Sequence, residues 1–122
     1  MTDNQQDSEF RHIDGRKHNG QAALALKSAI TWQNCSELKQ TLESKIAEGR
    51  TEIILDFKQV EHLDSAALEM LIEIHDLLMK QGGILKIAGL SEVCRDILMA
   101  TRIINIFFVY KDINEAISHK RT

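Results

Sequence analysis

The chain has 122 residues, is 43% hydrophobic but only 5% aromatic, and carries a net charge of −3. One domain is the natural expectation, and this length buries an aliphatic core without help from disulfides or metal. The mild negative charge, with no dense basic stripe, argues against nucleic acid as a partner. No apolar run is long enough to span a bilayer, so direct membrane insertion is not expected, and the opening residues lack the regions of a signal peptide, which points to the cytoplasm.

Residues 1–9 are polar and aperiodic and are expected to form a flexible tail. Phe10 and Ile13 are the only large apolar residues before Leu24 and fit a short edge strand, closed by a turn at Asp14-Gly15 or Asn19-Gly20. Ala22 to Leu26 is the first convincing strand, and Ile30 and Trp32 follow it. Asn34 has the character of an N-cap, with Glu37 three residues on to complete a capping box. Cys35, Leu38, Leu42 and Ile46 then trace a narrow apolar helical stripe that ends at Gly49.

Ile53-Ile54-Leu55 is apolar at consecutive positions, the pattern of a central strand covered on both faces. Asp64 and Ser65 open the longest helical pattern, in which Leu68, Leu71, Ile72, His75, Leu78 and Met79 share a face until Gly82-Gly83. A strand over 84–88 follows. Ser91 then caps a helix running through Val93, Ile97 and Leu98, and 106–110 reads as a last strand. Asp112 and Glu115 form a second capping box for a short helix with Ile113, Ala116 and Ile117 inward, and residues 119–122 should fray. Strands and helices thus alternate. The expected fold class is α/β, a single domain over 10–118 with a mostly parallel central sheet of four to five strands and about four helices.

Little in the chain supports catalysis. His62, Asp64 and Ser65 are triad residue types within four positions, but neighbours on an extended stretch alternate sides and rarely converge as nucleophile and base. No G-x-S-x-G elbow surrounds Ser65. The histidines and cysteines show no metal-ligand spacing, and Gly82-Gly83 lacks the ending of a phosphate loop. Cys35 and Cys94 form no C-x-x-C and read as reduced, mostly buried thiols. The expectation is a non-enzyme with no catalytic residue, metal or cofactor. Acidic residues are spread along the chain, so no positively charged partner surface is implied. The residue of interest is Ser65, a hydroxyl at a strand-to-helix junction on the sheet's carboxyl edge, where open α/β sheets carry their functional groups.

Leu63-Asp64-Ser65-Ala66-Ala67-Leu68 after Ile53-Ile54-Leu55-Asp56, then Gly82-Gly83, the strand over 84–88, Phe107-Phe108-Val109 and Asn114-Glu115-Ala116-Ile117, together resemble the STAS domain of bacterial anti-sigma-factor antagonists. The likeness extends more weakly over Gly20 to Gly49. It implies a regulatory, signal-transducing protein of transcription control. Its expected partner is a serine kinase or anti-sigma factor with a histidine-kinase-like ATPase fold. That kinase would phosphorylate Ser65, and a phosphatase would reverse the step. The partner-binding surface implied is Asp64, Ser65, Ala66, Ala67 and Thr31. The alternative implied is a constitutive STAS accessory subunit of a bacterial lipid-transport ATPase complex. Two positions depart from the family pattern. Ala66-Ala67 stands where Ser-Gly or Thr-Gly is usual, placing methyl groups where a partner approaches, and Ser28-Ala29-Ile30-Thr31 replaces the frequent Gly-Glu-Leu-Asp, so no carboxylate stands there.

Overall fold

Ile53, Ile54 and Leu55 are all fully buried, and the sheet is built around them. In the computed structural model, which describes residues 10–12 and 20–119, they form the middle of β3 (Glu52–Asp56). Strands β2 (Gln21–Leu26) and β4 (Ile84–Ala88) flank β3 and run parallel to it, with Leu55 between Leu24 and Ile87. Strand β5 (Phe108–Tyr110) adds in parallel beyond β4, and β1 (Phe10–His12) pairs antiparallel with β2, giving the order β1-β2-β3-β4-β5.

Each parallel connection passes to the next strand in line, so right-handed crossovers put the intervening helices on one face. These are α1 (Cys35–Ala47), α2 (Ser65–Lys80) and α3 (Glu92–Ala100). Leu38, Leu42 and Ile46 of α1, Leu71, Ile74 and Leu78 of α2, and Cys94 and Leu98 of α3 join Leu24, Ile53, Leu55, Leu85 and Ile87 in the main core. The short α4 (Ile113–Ser118) covers the other face, packing Ala116, Ile113 and Ile117 against Ala23, Ile54 and Ala88. The two-sided cover explains the unbroken apolar run of β3. Lys39 of α1 pairs with Glu73 of α2 at 2.8 Å, a hydrogen-bonded contact that raises the lysine's pKa.

Lys86 is the buried charge among the described residues. Its Nζ pairs with Glu52 Oε2 at 2.7 Å, donates to the carbonyls of Ala116 and His119 at 2.8 and 2.7 Å, and lies 5.1 Å from the Tyr110 ring centre. A cation can occupy this interior because its donors are taken up, and in doing so it closes the carboxyl end of α4.

Several local expectations shift. The buried arc of α2 is wider than the expected stripe: Met70 and Ile74 are buried, Ile72 and His75 are half-buried, and Met79 is exposed. This helix packs on both α1 and the sheet, so a wide arc is needed. His75 lies edge-to-face against Phe107 with ring centres 5.7 Å apart. Val93 faces outward rather than into the core. The last strand begins at Phe108 rather than 106, because Ile103–Asn105 forms a 3-10 turn after Arg102, whose φ is +64°.

The Asp112 cap forms at 2.9 Å to the Glu115 N–H, but Glu115 Oε1 accepts from the Lys111 N–H rather than from Asp112. Gly82-Gly83 ends α2 as a Schellman motif, with the Gly82 and Gly83 N–H groups donating to the carbonyls of Met79 and Leu78 at 3.0 and 2.8 Å. The expected tail over 1–9, the turn at Asp14-Gly15 and the terminal residues 120–122 lie outside the described residues.

Candidate partner-binding site

Beyond the carboxyl ends of β2 and β3 the chain does not splay. Ile30 and Leu63 form a parallel bridge, with the Ile30 N–H donating to His62 O and the Asp64 N–H to Ile30 O, both at 3.2 Å. Ile30 and Leu63 are themselves buried, and this apolar pair holds the two loops together. The strand order never reverses, so no crevice of the switch-point kind opens here. The site is a surface at the carboxyl edge.

Asp64 is the N-cap of α2. Its Oδ1 accepts from the Ala67 N–H at 2.9 Å and its Oδ2 from the Trp32 N–H at 2.8 Å. The Ala67 bond is the main cause of a lowered Asp64 pKa; the Trp32 bond adds to it, and desolvation opposes both. Ser65 is the first helical residue and is exposed, and Ala66 is half-buried. Ala67 is fully buried in the core, so its side chain offers nothing to a partner; its contribution here is the N–H that binds Asp64. The methyl crowding implied for Ala67 does not arise.

Thr31 and Asn34 shape the neighbouring loop. The Thr31 carbonyl accepts from the N–H groups of Asn34 and Cys35 at 3.0 and 2.8 Å, and its Oγ1 from the Gln33 N–H at 3.2 Å. Asn34 makes no side-chain cap on α1. Its Oδ1 instead accepts from the Thr31 N–H at 2.9 Å and its Nδ2 donates to the Ala29 carbonyl at 2.9 Å. The expected capping box fails because the loop claims the amide for its own turn. The same turn lifts Trp32 out of the protein, where it is 71% exposed. Sequence reasoning passed over Trp32 as a residue following the strand. The available signal was a large aromatic among the polar Thr31, Gln33 and Asn34, outside any apolar period.

The loops that meet at the bridge carry both signs of charge: Lys27 follows β2, Lys58 and Glu61 follow β3, all three are exposed, and Asp64 is committed to its two N–H partners. Among the described residues no group of three or more histidine, cysteine, aspartate or glutamate side chains is placed to hold a metal, and no helix is long and apolar enough to cross a membrane. Cys94 is buried with its Sγ 3.4 Å from the Val60 carbonyl, and desolvation pushes its thiol pKa up, which is the setting of a structural rather than a reactive thiol.

Among curated proteins none matches the sequence. Solved structures do. An anti-sigma factor antagonist from Mycobacterium paratuberculosis superposes with a TM-score of 0.75 at 19% identity, covering 89% of this chain and 92% of that one. The Bacillus cell fate determinant SpoIIAA, in its phosphorylated form, gives 0.68 at 16% identity, over 88% and 96%. A sulfate transporter family protein from Wolinella succinogenes gives 0.71 at 23% identity, over 80% and 81%. At such identities the likeness is one of fold. The sequence itself matches the STAS domain over residues 12–116. With the parallel sheet, the helix order and this sequence match in agreement, the chain belongs to the STAS domain family.

Proposed function

We propose that the protein is an anti-sigma-factor antagonist that binds a kinase of histidine-kinase-like ATPase fold through the carboxyl edge of its sheet and is released when that kinase phosphorylates Ser65. The observation that carries this reading is the exposed Ser65 hydroxyl at the first position of α2, directly after a capping aspartate. The Ser65 Oγ would attack the γ-phosphorus of ATP held by the kinase. ADP leaves, and the hydroxyl proton passes to a base on the kinase. A phosphatase would return the serine by hydrolysis. The protein supplies the acceptor and does no chemistry of its own. The likeness to SpoIIAA in its phosphorylated form supports the reading.

The test is incubation with purified kinases of this ATPase class and ATP. The mass should rise by a single phosphate, and Ser65→Ala should abolish the rise. Modification that persists at Ser28, Thr31 or Ser36 in that variant would sink the assignment. Hydrolytic turnover by the isolated protein, lost on Ser65→Ala, would overturn the non-enzyme reading. A second reading is a constitutive accessory subunit of a bacterial lipid-transport ATPase complex; the likeness to the Wolinella sulfate transporter family protein supports it only in that the same fold occurs in a transport protein. It expects stable association with a transporter ATPase and no phosphate on Ser65.

A further inference from the structure

The Asn34 carboxamide stands where a further strand would lie. The Ile30 N–H and C=O bond His62 O and the Asp64 N–H, both at 3.2 Å. The peptide groups before and after Ile30 point the other way, and Asn34 bonds both of them. Its Oδ1 accepts from the Thr31 N–H and its Nδ2 donates to the Ala29 carbonyl, each at 2.9 Å. That is the bonding a neighbouring strand supplies, so Ile30 is gripped from two sides. A carboxamide brings donor and acceptor together, whereas a carboxylate brings acceptors alone. The grip is passed on to the residue before Ser65. The loop holds Asp64 through its own N–H, on Ile30 O, and through Oδ2, which accepts from the Trp32 N–H at 2.8 Å. Asp64 Oδ1 then starts α2 at the Ala67 N–H. Asn34 forgoes the side-chain cap of α1 to make this clip, although asparagine is among the better N-caps.

From these relations we infer that Asn34 is a positioning residue for phosphoryl acceptance at Ser65, acting through Ile30 and Asp64 without touching the reacting atoms. The inference rests on the kinase reading above and adds to it how the acceptor is held. Phosphoryl transfer depends largely on placing the attacking oxygen in line with the γ-phosphorus, at about 3–3.5 Å, before the bond forms. Ser65 is the first helical residue, so the direction of its hydroxyl follows the start of α2. That start follows Asp64, and Asp64 is tied to the loop that Asn34 keeps in shape.

Asn34→Asp is nearly isosteric and leaves α1 an N-cap of equal rank, but it sets a carboxylate oxygen against the Ala29 carbonyl. With the kinase that phosphorylates Ser65, kcat for this variant should fall about 10-fold while KM stays within about threefold. Its melting temperature should stay near that of wild type. Asn34→Ala removes the clip without adding charge and should lose kcat to the same extent. In both isolated variants the Asp64 and Trp32 amides should exchange hydrogen faster, although their bonds go to Ile30 and Asp64 rather than to Asn34. Wild-type kcat in Asn34→Ala overturns the proposal, because the loss in Asn34→Asp is then charge repulsion. A loss confined to KM, the mark of a direct partner contact, overturns it too, as do Asp64 and Trp32 amides protected as in wild type. Each of these outcomes leaves the kinase reading standing. Failure of every such kinase to phosphorylate wild-type Ser65 overturns both.

Discussion

The Asp64 carboxylate joins two elements 32 residues apart in sequence, accepting from the Trp32 N–H at 2.8 Å while its other oxygen caps α2 through Ala67 at 2.9 Å. One side chain thus sets both the start of the longest helix and the position of the loop before α1. The Trp32 amide should accordingly be protected from hydrogen exchange in the wild-type protein and exchange much faster in Asp64→Ala, which should also melt at a lower temperature. A Trp32 amide equally protected in both proteins would remove Asp64 from this role.

The same group gives an acid dependence with a defined sign. Its pKa in the folded state lies below the ordinary carboxylate value. Its contribution to stability is therefore complete above the unfolded-state value, about 3.9, and is lost as pH falls through the lower folded value. The stability gap between wild type and Asp64→Ala should be constant from neutral pH to about pH 5 and close on further acidification. Acid titrations of the two proteins by circular dichroism check this.

Ser65→Asp should leave the fold intact. At the first turn of α2 the helix dipole favours an anion by about 0.3–1 kcal/mol, and repulsion from Asp64 opposes it by a similar screened amount. Burying that charge under a partner without a paired cation costs several kcal/mol, enough to reduce affinity about 100-fold. Thermal melts and partner titrations separate the two effects: binding lost through unfolding, or binding unchanged, would contradict the electrostatic account.

Lys86→Met should be among the most damaging single substitutions. It leaves Glu52 and the carbonyls of Ala116 and His119 without their cation. Because Glu52 still reaches solvent, the expected loss is about 2–4 kcal/mol, somewhat under that of a fully enclosed pair. Adding Glu52→Gln should recover part of it. Urea melts of the single and double variants measure the coupling.

Gly82 and Gly83 should respond differently to alanine. At Gly82, with φ +79° and open space around it, alanine meets only left-handed strain of about 1 kcal/mol. At Gly83 the new Cβ would lie 2.5 Å from the Thr51 carbonyl oxygen. Backbone on both sides must then move, so Gly83→Ala should cost more, about 1–3 kcal/mol. Equal losses at the two positions would show that the close approach to Thr51 does not limit packing.

Much of the architecture follows from local pattern. Consecutive apolar residues at Ile53 to Leu55 announce a strand covered twice, and the caps at Asp64, Ser91 and Asp112 start their helices because a short oxygen-bearing side chain meets unpaired N–H groups whatever lies elsewhere in the chain. The exposed Ser65 at a strand-to-helix junction is legible for the same reason. What depends on distant partners was not legible. Asn34 abandons its cap for Thr31 and Ala29, Ala67 turns into the core, and Lys86 looks like a solvent-facing position until α4 closes over it. The exposed Trp32 comes beside Asp64, next to Ser65, only when the Ile30–Leu63 bridge joins two loops some thirty residues apart. A periodicity reports the environment of its own element; which loop lies beside which is set by parallel crossovers that bring together segments remote in sequence.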